Sequence, residues 1–77
     1  MEYILITLKI PNQADMDLKI PCMITGEELL KMLMEITNTG ITLDTNIQAE
    51  PLGRILDNSQ TLNAEGVGHG ALLTLLC

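Results

Sequence analysis

Aromatic residues are almost missing from this chain of 77 residues: there is no Phe, no Trp, and Tyr3 stands alone. With an apolar fraction of 47% the composition is still globular, so a core must be assembled from Leu, Ile and Met. Such a core suits one helix laid on one sheet. Cationic side chains are also scarce, four Lys and Arg against ten Asp and Glu, for a net charge of −6. That balance repels phosphate backbones and anionic lipid surfaces and argues against nucleic acid as a partner. Cys22 and Cys77 are too few for a disulfide scaffold or a four-thiolate metal site, and their spacing fits no zinc or redox motif. Long apolar runs are lacking as well. Ile4-Leu5-Ile6 and Leu29-Leu30 fall far short of the roughly 20 residues that span a bilayer. No signal-peptide pattern precedes the strand-like alternation that begins at Glu2. The expectation is a cytoplasmic protein without direct membrane insertion, with residues 1–77 forming one domain. At this size a single core leaves only about 3–5 kcal/mol of net stability.

What is present reads as a short series of elements. Ile4, Ile6, Leu8 and Ile10 alternate with Tyr3, Leu5, Thr7 and Lys9, the period of a strand with one buried face. Pro11-Asn12-Gln13 marks a turn, and from Ala14 to Pro21 the residues Met16, Leu18 and Ile20 alternate with Asp15, Asp17 and Lys19. Pro21 has no N–H for a ladder, so this second strand belongs at a sheet edge or ends there. Thr25-Gly26-Glu27-Glu28 fits a capping box and predicts a helix from about Gly26 to Thr37, closed by Asn38-Thr39-Gly40. On that helix Leu29, Leu33 and Ile36 form one stripe, flanked by Leu30 and Met32, with Glu27, Lys31 and Glu35 opposite. Ile41 and Leu43 are expected to pack under its end. Short strands follow at Thr45 to Glu50 and Arg54 to Leu56. Leu62 and Val67 anchor an irregular loop, and the last strand is Ala71-Leu72-Leu73-Thr74-Leu75-Leu76-Cys77.

Hairpin, helix, short strands and final strand make the order of a ubiquitin-like β-grasp: an α+β fold, a mixed sheet of four to five strands with one packed helix. The segment Gly53-Arg54-Ile55-Leu56-Asp57-Asn58-Ser59-Gln60-Thr61-Leu62, then Val67 and Leu73-Thr74-Leu75, resembles the second half of ubiquitin. Asp17-Leu18-Lys19-Ile20-Pro21, the helix, Gly53-Arg54-Ile55-Leu56 and Gly70-Ala71-Leu72-Leu73-Thr74-Leu75-Leu76 resemble more closely the YukD/EsaB-like bacterial ubiquitin-like proteins of type VII (WXG100, ESX-like) secretion. The resemblance covers nearly the whole chain. It implies a non-catalytic, non-conjugated adaptor or regulator whose partner is a protein, such as a secretion component. His69 departs from that group, where an acidic residue usually follows the turn glycine. Glu50 departs from ubiquitin, aligning with the central apolar residue of its binding patch, so partners that read ubiquitin should not read this protein.

A conjugated modifier needs a flexible tail ending in Gly-Gly, whereas Leu76-Cys77 continues the last strand. The alternative reading is therefore a ubiquitin-like modifier or sulfur carrier whose Gly-Gly tail is absent or truncated. Catalytic, metal and cofactor sites are not expected: there is one His, no ligand cluster and no paired carboxylates in a predicted cleft. Gly66-Val67-Gly68-His69-Gly70 leads into a strand rather than a helix, which makes it a turn and not a phosphate cradle. His69 in it reads as a solvent-facing loop residue. Cys77 has no basic residue near it to activate a thiol, and Cys22 and Cys77 fall at opposite ends of a β-grasp sheet. The charges Glu27, Glu28, Lys31 and Glu35 read as a solvated face with weak ion pairs.

One surface feature rises above this background. If Ile4, Ile6, Leu73 and Leu75 face the helix, then Leu5, Leu72 and Leu76 project from the uncovered side of the sheet. Neighbouring exposed leucines suggest a contact site for a protein partner or for self-association. Leu30 and Met34, on one shoulder of the helix, form a second candidate.

Overall fold

The computed structural model describes residues 2–36 and 40–76. In chain order the elements are β1 (Tyr3–Lys9), β2 (Met16–Pro21), α1 (Gly26–Ile36), β3 (Asn46–Glu50), β4 (Arg54–Ile55) and β5 (Leu72–Leu76). The five strands form one sheet in the order β2-β1-β5-β3-β4. Only the central β1–β5 pair is parallel, and the other neighbours are antiparallel. The expected mixed sheet with one helix is therefore present. β2 lies at an edge and ends at Pro21, both outcomes that the missing proline N–H favours.

Period-two patterning decides which face is covered. Ile6 and Leu8 of β1, Ile20 of β2, Ile47 and Ala49 of β3, and Leu73 and Leu75 of β5 are buried. They pack in one cluster with Leu29, Leu30 and Leu33 of α1. Leu62 and Val67 are buried in the same cluster and pin the irregular segment between β4 and β5. Burial of each such aliphatic side chain contributes about 1.5–3 kcal/mol, which is how a chain with one aromatic residue holds together.

The capping box forms as its sequence predicts. The Thr25 hydroxyl accepts from the Glu28 N–H at 3.0 Å, and the Thr25 N–H donates to Glu28 Oε1 at 3.2 Å. Two further N-terminal donors of α1 are satisfied by a distant loop: Gly26 N–H reaches the Gln60 carbonyl at 3.3 Å and Glu27 N–H the Asn58 carbonyl at 3.0 Å. The Asn58 side chain then donates to the Thr45 carbonyl at 2.9 Å, so one residue ties the helix start to the beginning of β3.

The helix faces the sheet along a line rotated from the expected one. Gly26, Leu29, Leu30 and Leu33 are its buried residues, an i, i+3, i+4, i+7 stripe, whereas Ile36 is 65% exposed. Leu30 is therefore core and not a shoulder. Ile41 joins the core, but Leu43 stays exposed beside the N-terminal half of the helix. Residues 37–39, with the expected end of the helix at Thr37 and its stop at Asn38-Thr39, lie outside the described residues, as does Cys77. Gly40 has a left-handed φ of +78°.

Candidate protein-contact face

The face of the sheet away from α1 carries the alternate residues of each strand. Its geometry follows from register. Leu5 of β1 lies opposite Lys19 of β2, and Thr7 lies between Asp17 of β2 and Leu72 of β5. Leu72 in turn faces Glu50 of β3, Thr74 faces Gln48, and Leu76 faces Asn46. Leu5 and Leu72 are diagonal neighbours across the central pair, a separation that leucine side chains can bridge. Tyr3, two residues before Leu5, extends the same apolar end and is 51% exposed. Lys19 Nζ stands 5.3 Å from the centre of its ring, a cation over an aromatic face.

Leu76 is separate. It stands four residues beyond Leu72, roughly 13 Å along the strand, with Thr74 between them. The expected continuous patch is therefore two sites: Tyr3, Leu5 and Leu72 at one end, and Leu76 at the other. Between them the face is polar. Thr7 Oγ1 donates to Asp17 Oδ1 at 2.9 Å, and Gln48 Nε2 donates to Glu50 Oε1 at 3.3 Å. Glu50, next to Leu72, sits partly buried near the middle of this face.

Leu5 is held from both of its backbone groups. His69 Nδ1 accepts its N–H at 3.2 Å, and its carbonyl accepts the Gly70 N–H at 2.7 Å. Gly70 reaches this position with φ of +86°, where a side chain would be strained. His69 is exposed, as its loop position suggested, but its ring has a structural task that the sequence did not signal.

The helix side offers less than expected. Leu30 is fully buried and cannot meet a partner, which leaves Met34, 42% exposed, as the remaining member of that shoulder. Two shallow depressions on the helix do not include it: one is lined by Thr25, Glu27, Glu28, Lys31 and Leu43, the other by Ile24, Glu28, Lys31, Met32 and Glu35. Lys31 lies among three carboxylates, yet the described residues include one ion pair only, Arg54 with Glu65. The weak ion pairs expected on the helix are therefore not formed.

That Arg54–Glu65 pair belongs to a small polar cluster not evident from sequence. Glu65 Oε1 accepts the Asp57 N–H at 2.6 Å and Arg54 Nη1 at 3.0 Å, while Arg54 Nη2 donates to the Glu65 carbonyl at 2.6 Å. The Asp57 N–H, and then Arg54, hold the Glu65 carboxyl below its ordinary range. Asp57 is likewise lowered, by the hydroxyl and N–H of Ser59. Eight residues separate Asp57 from Glu65, a spacing without a periodic signature.

Free Cys22 is buried. Among the described residues no group of three or more His, Cys, Asp or Glu is placed to hold a metal, and no helix is long and apolar enough to cross a membrane.

Sheet order, the single packed helix and an uncovered outer face define a ubiquitin-like β-grasp protein. Solved structures carry the same fold at low identity. A ubiquitin-like domain from Arabidopsis thaliana aligns over 99% of this chain and 78% of its own, with TM-score 0.80 and 18% identity. The C-terminal ubiquitin-like domain of mouse tubulin-specific chaperone e aligns over 96% and 84%, with TM-score 0.77 and 16% identity. The ubiquitin of Caldiarchaeum subterraneum aligns over 96% and 91%, with TM-score 0.71 and 18% identity. No curated protein matches the sequence. The family is more specific than the fold: residues 3–75 match the model described as "WXG100 protein secretion system (Wss), protein YukD", and the chain belongs to that family.

Proposed function

We propose that this protein is a non-catalytic, non-conjugated adaptor or regulator of a type VII (WXG100) secretion system, working in the cytoplasm by contact with a protein component of that system. The family match over residues 3–75 carries the reading. The outer sheet face supplies the contact: exposed Tyr3 and Leu5, with Leu72, which is half-buried, make an apolar end fixed to the sheet by the His69 and Gly70 bonds to Leu5. Leucine and tyrosine on rigid strands lose little conformational freedom when a partner covers them, which favours their use as contact anchors. Glu50 stands beside Leu72, whereas Lys19 stands beside Leu5 and over Tyr3, so a partner that presents apolar groups with a basic one toward Glu50 and an acidic one toward Lys19 is the best complement.

The experiment is affinity capture from the source organism with the intact protein as bait, repeated with Leu5→Ser/Leu72→Ser. Recovery of a secretion ATPase or a WXG100 protein by the wild type and its loss with the variant is the expected result. In parallel, incubation with ATP and an activating enzyme, read by intact mass, should leave the protein unmodified. An adenylate or thioester would overturn the adaptor reading in favour of conjugation.

A further inference from the structure

The free edge of β2 is complementary to itself. Hydrogen-bonding parity shows which of its backbone groups are unused. Cys22 N–H donates to the Glu2 carbonyl at 3.1 Å, so in this antiparallel pair the even residues of β2 face the even residues of β1 as hydrogen-bonded pairs. The odd residues of β1 accordingly bond the other way: Thr7 N–H goes to the Ala71 carbonyl, and the Leu5 carbonyl accepts from Gly70. On β2 the odd residues Asp17 and Lys19 must then point their N–H and C=O groups away from the sheet. Among the described residues no strand lies on that side, because β2 is the end of the order.

An exposed edge of this kind is a template for another strand. The side chains decide which strand fits. When two copies of β2 meet antiparallel about a two-fold axis through Leu18, Asp17 of each copy lies directly opposite Lys19 of the other. The four backbone bonds of Asp17 and Lys19 are satisfied in the same register, because both residues point outward. Leu18, only partly buried against the core, meets its own symmetry mate on the inner face. A two-residue shift in one direction sets Asp17 against Asp17, with Lys19 opposite Asp15, which lies outside β2; a shift in the other sets Lys19 against Lys19. Like charges directly opposite are destabilising, and of these registers only the central one sets both charges of β2 against an opposite charge of the partner's β2.

We infer that a second copy of this chain occupies the β2 edge, forming an isologous, antiparallel pair that joins two five-stranded sheets into one. The contact is a few residues long, and its charge pairs are exposed. Association is therefore weak, reversible and reduced by salt. It leaves the end of the outer face around Tyr3, Leu5 and Leu72 open, and it stands independently of the secretion role.

The test is sedimentation equilibrium up to millimolar concentration at low salt, with amide exchange read by NMR. The wild type should shift toward dimer as concentration rises, with protection gained at the Asp17 and Lys19 amides. Asp17→Lys and Lys19→Asp each set like charges opposite one another twice and should weaken association by roughly tenfold or more. An equimolar mixture of these two variants should associate again, as should the double variant Asp17→Lys/Lys19→Asp, because opposite charges again face each other. Asp17→Lys also brings the chain's net charge of −6 two units closer to neutrality, which by overall repulsion alone would strengthen association. Both side chains are exposed, and unchanged spectra away from β2 confirm that each variant is folded. A monomer at every concentration overturns the proposal. So does a dimer that ignores both substitutions, or two variants that fail to associate when mixed.

Discussion

His69 Nδ1 accepts the backbone N–H of Leu5 at 3.2 Å, joining the turn before β5 to the strand beside it across 64 positions of sequence. The bond extends the β1–β5 ladder beyond its last parallel pair with a side-chain acceptor. An aspartate carboxylate at this position could accept the same N–H. His69→Ala should therefore cost about 0.5–1.5 kcal/mol in denaturant unfolding, and His69→Asp distinctly less. Equal losses for the two would show that the ring acts by packing.

Gly26→Ala reverses the usual helix rule. Alanine is ordinarily better than glycine in a helix by up to about 1 kcal/mol. Here a Cβ would stand 2.8 Å from Asn58 Oδ1 and 3.0 Å from Asn58 Cα, the latter being backbone that cannot swing aside. The substitution should lower the melting temperature, and the Asn58→Ala/Gly26→Ala pair should show strong non-additivity in a double-mutant cycle.

Leu30→Ala and Leu33→Ala should each destabilise by roughly 2–5 kcal/mol as core truncations, whereas Lys31→Ala should stay within about 0.5 kcal/mol. Met34→Ser, on the exposed side, should resemble Lys31→Ala in chemical denaturation.

Acid should loosen the segment between β4 and β5. The carboxyls of Asp57 and Glu65 are both lowered by hydrogen bonds made in the folded state. Their contribution is present above the unfolded-state values and is lost as pH falls through the lower folded values, below about pH 4. Glu65→Gln should flatten the acid limb of a stability-against-pH curve, measured by urea unfolding at successive pH values.

Division of the outer face sharpens the test of the proposed contact. If the proposed function holds, Leu5→Ser and Leu72→Ser should each reduce capture of a secretion component, and Leu76→Ser should change it little, all with nearly unchanged melting temperatures. Loss with Leu76→Ser alone would move the site to the far end of β5.

Strands β1 and β2 are legible because buried and outward residues alternate along them, and the cap because Thr25 and Glu28 stand at the one spacing that lets them exchange bonds. The helix face was harder to read. Leu29, Leu30, Met32, Leu33, Met34 and Ile36 are apolar over much of the helix circumference, so periodicity allowed two stripes. The position of the sheet selected the one containing Leu30 and left Ile36 outside. Small Gly26, in phase with Leu29, Leu30 and Leu33, was the available clue, since it permits the close approach of Asn58. The outer leucines were placed on the correct face, but their continuity depended on the β1–β5 register, which alternation cannot supply. The Arg54, Asp57 and Glu65 cluster depends on a loop path that no local pattern encodes.

The central strands β1 and β5 come from the two ends of the chain and run parallel. Tension applied at the start of β1 and the end of β5 therefore loads their ladder lengthwise, so its bonds share the force and must give way together instead of opening one at a time. A small fold with a modest core can thus be mechanically stiff along that one direction while remaining easy to unfold by heat or denaturant.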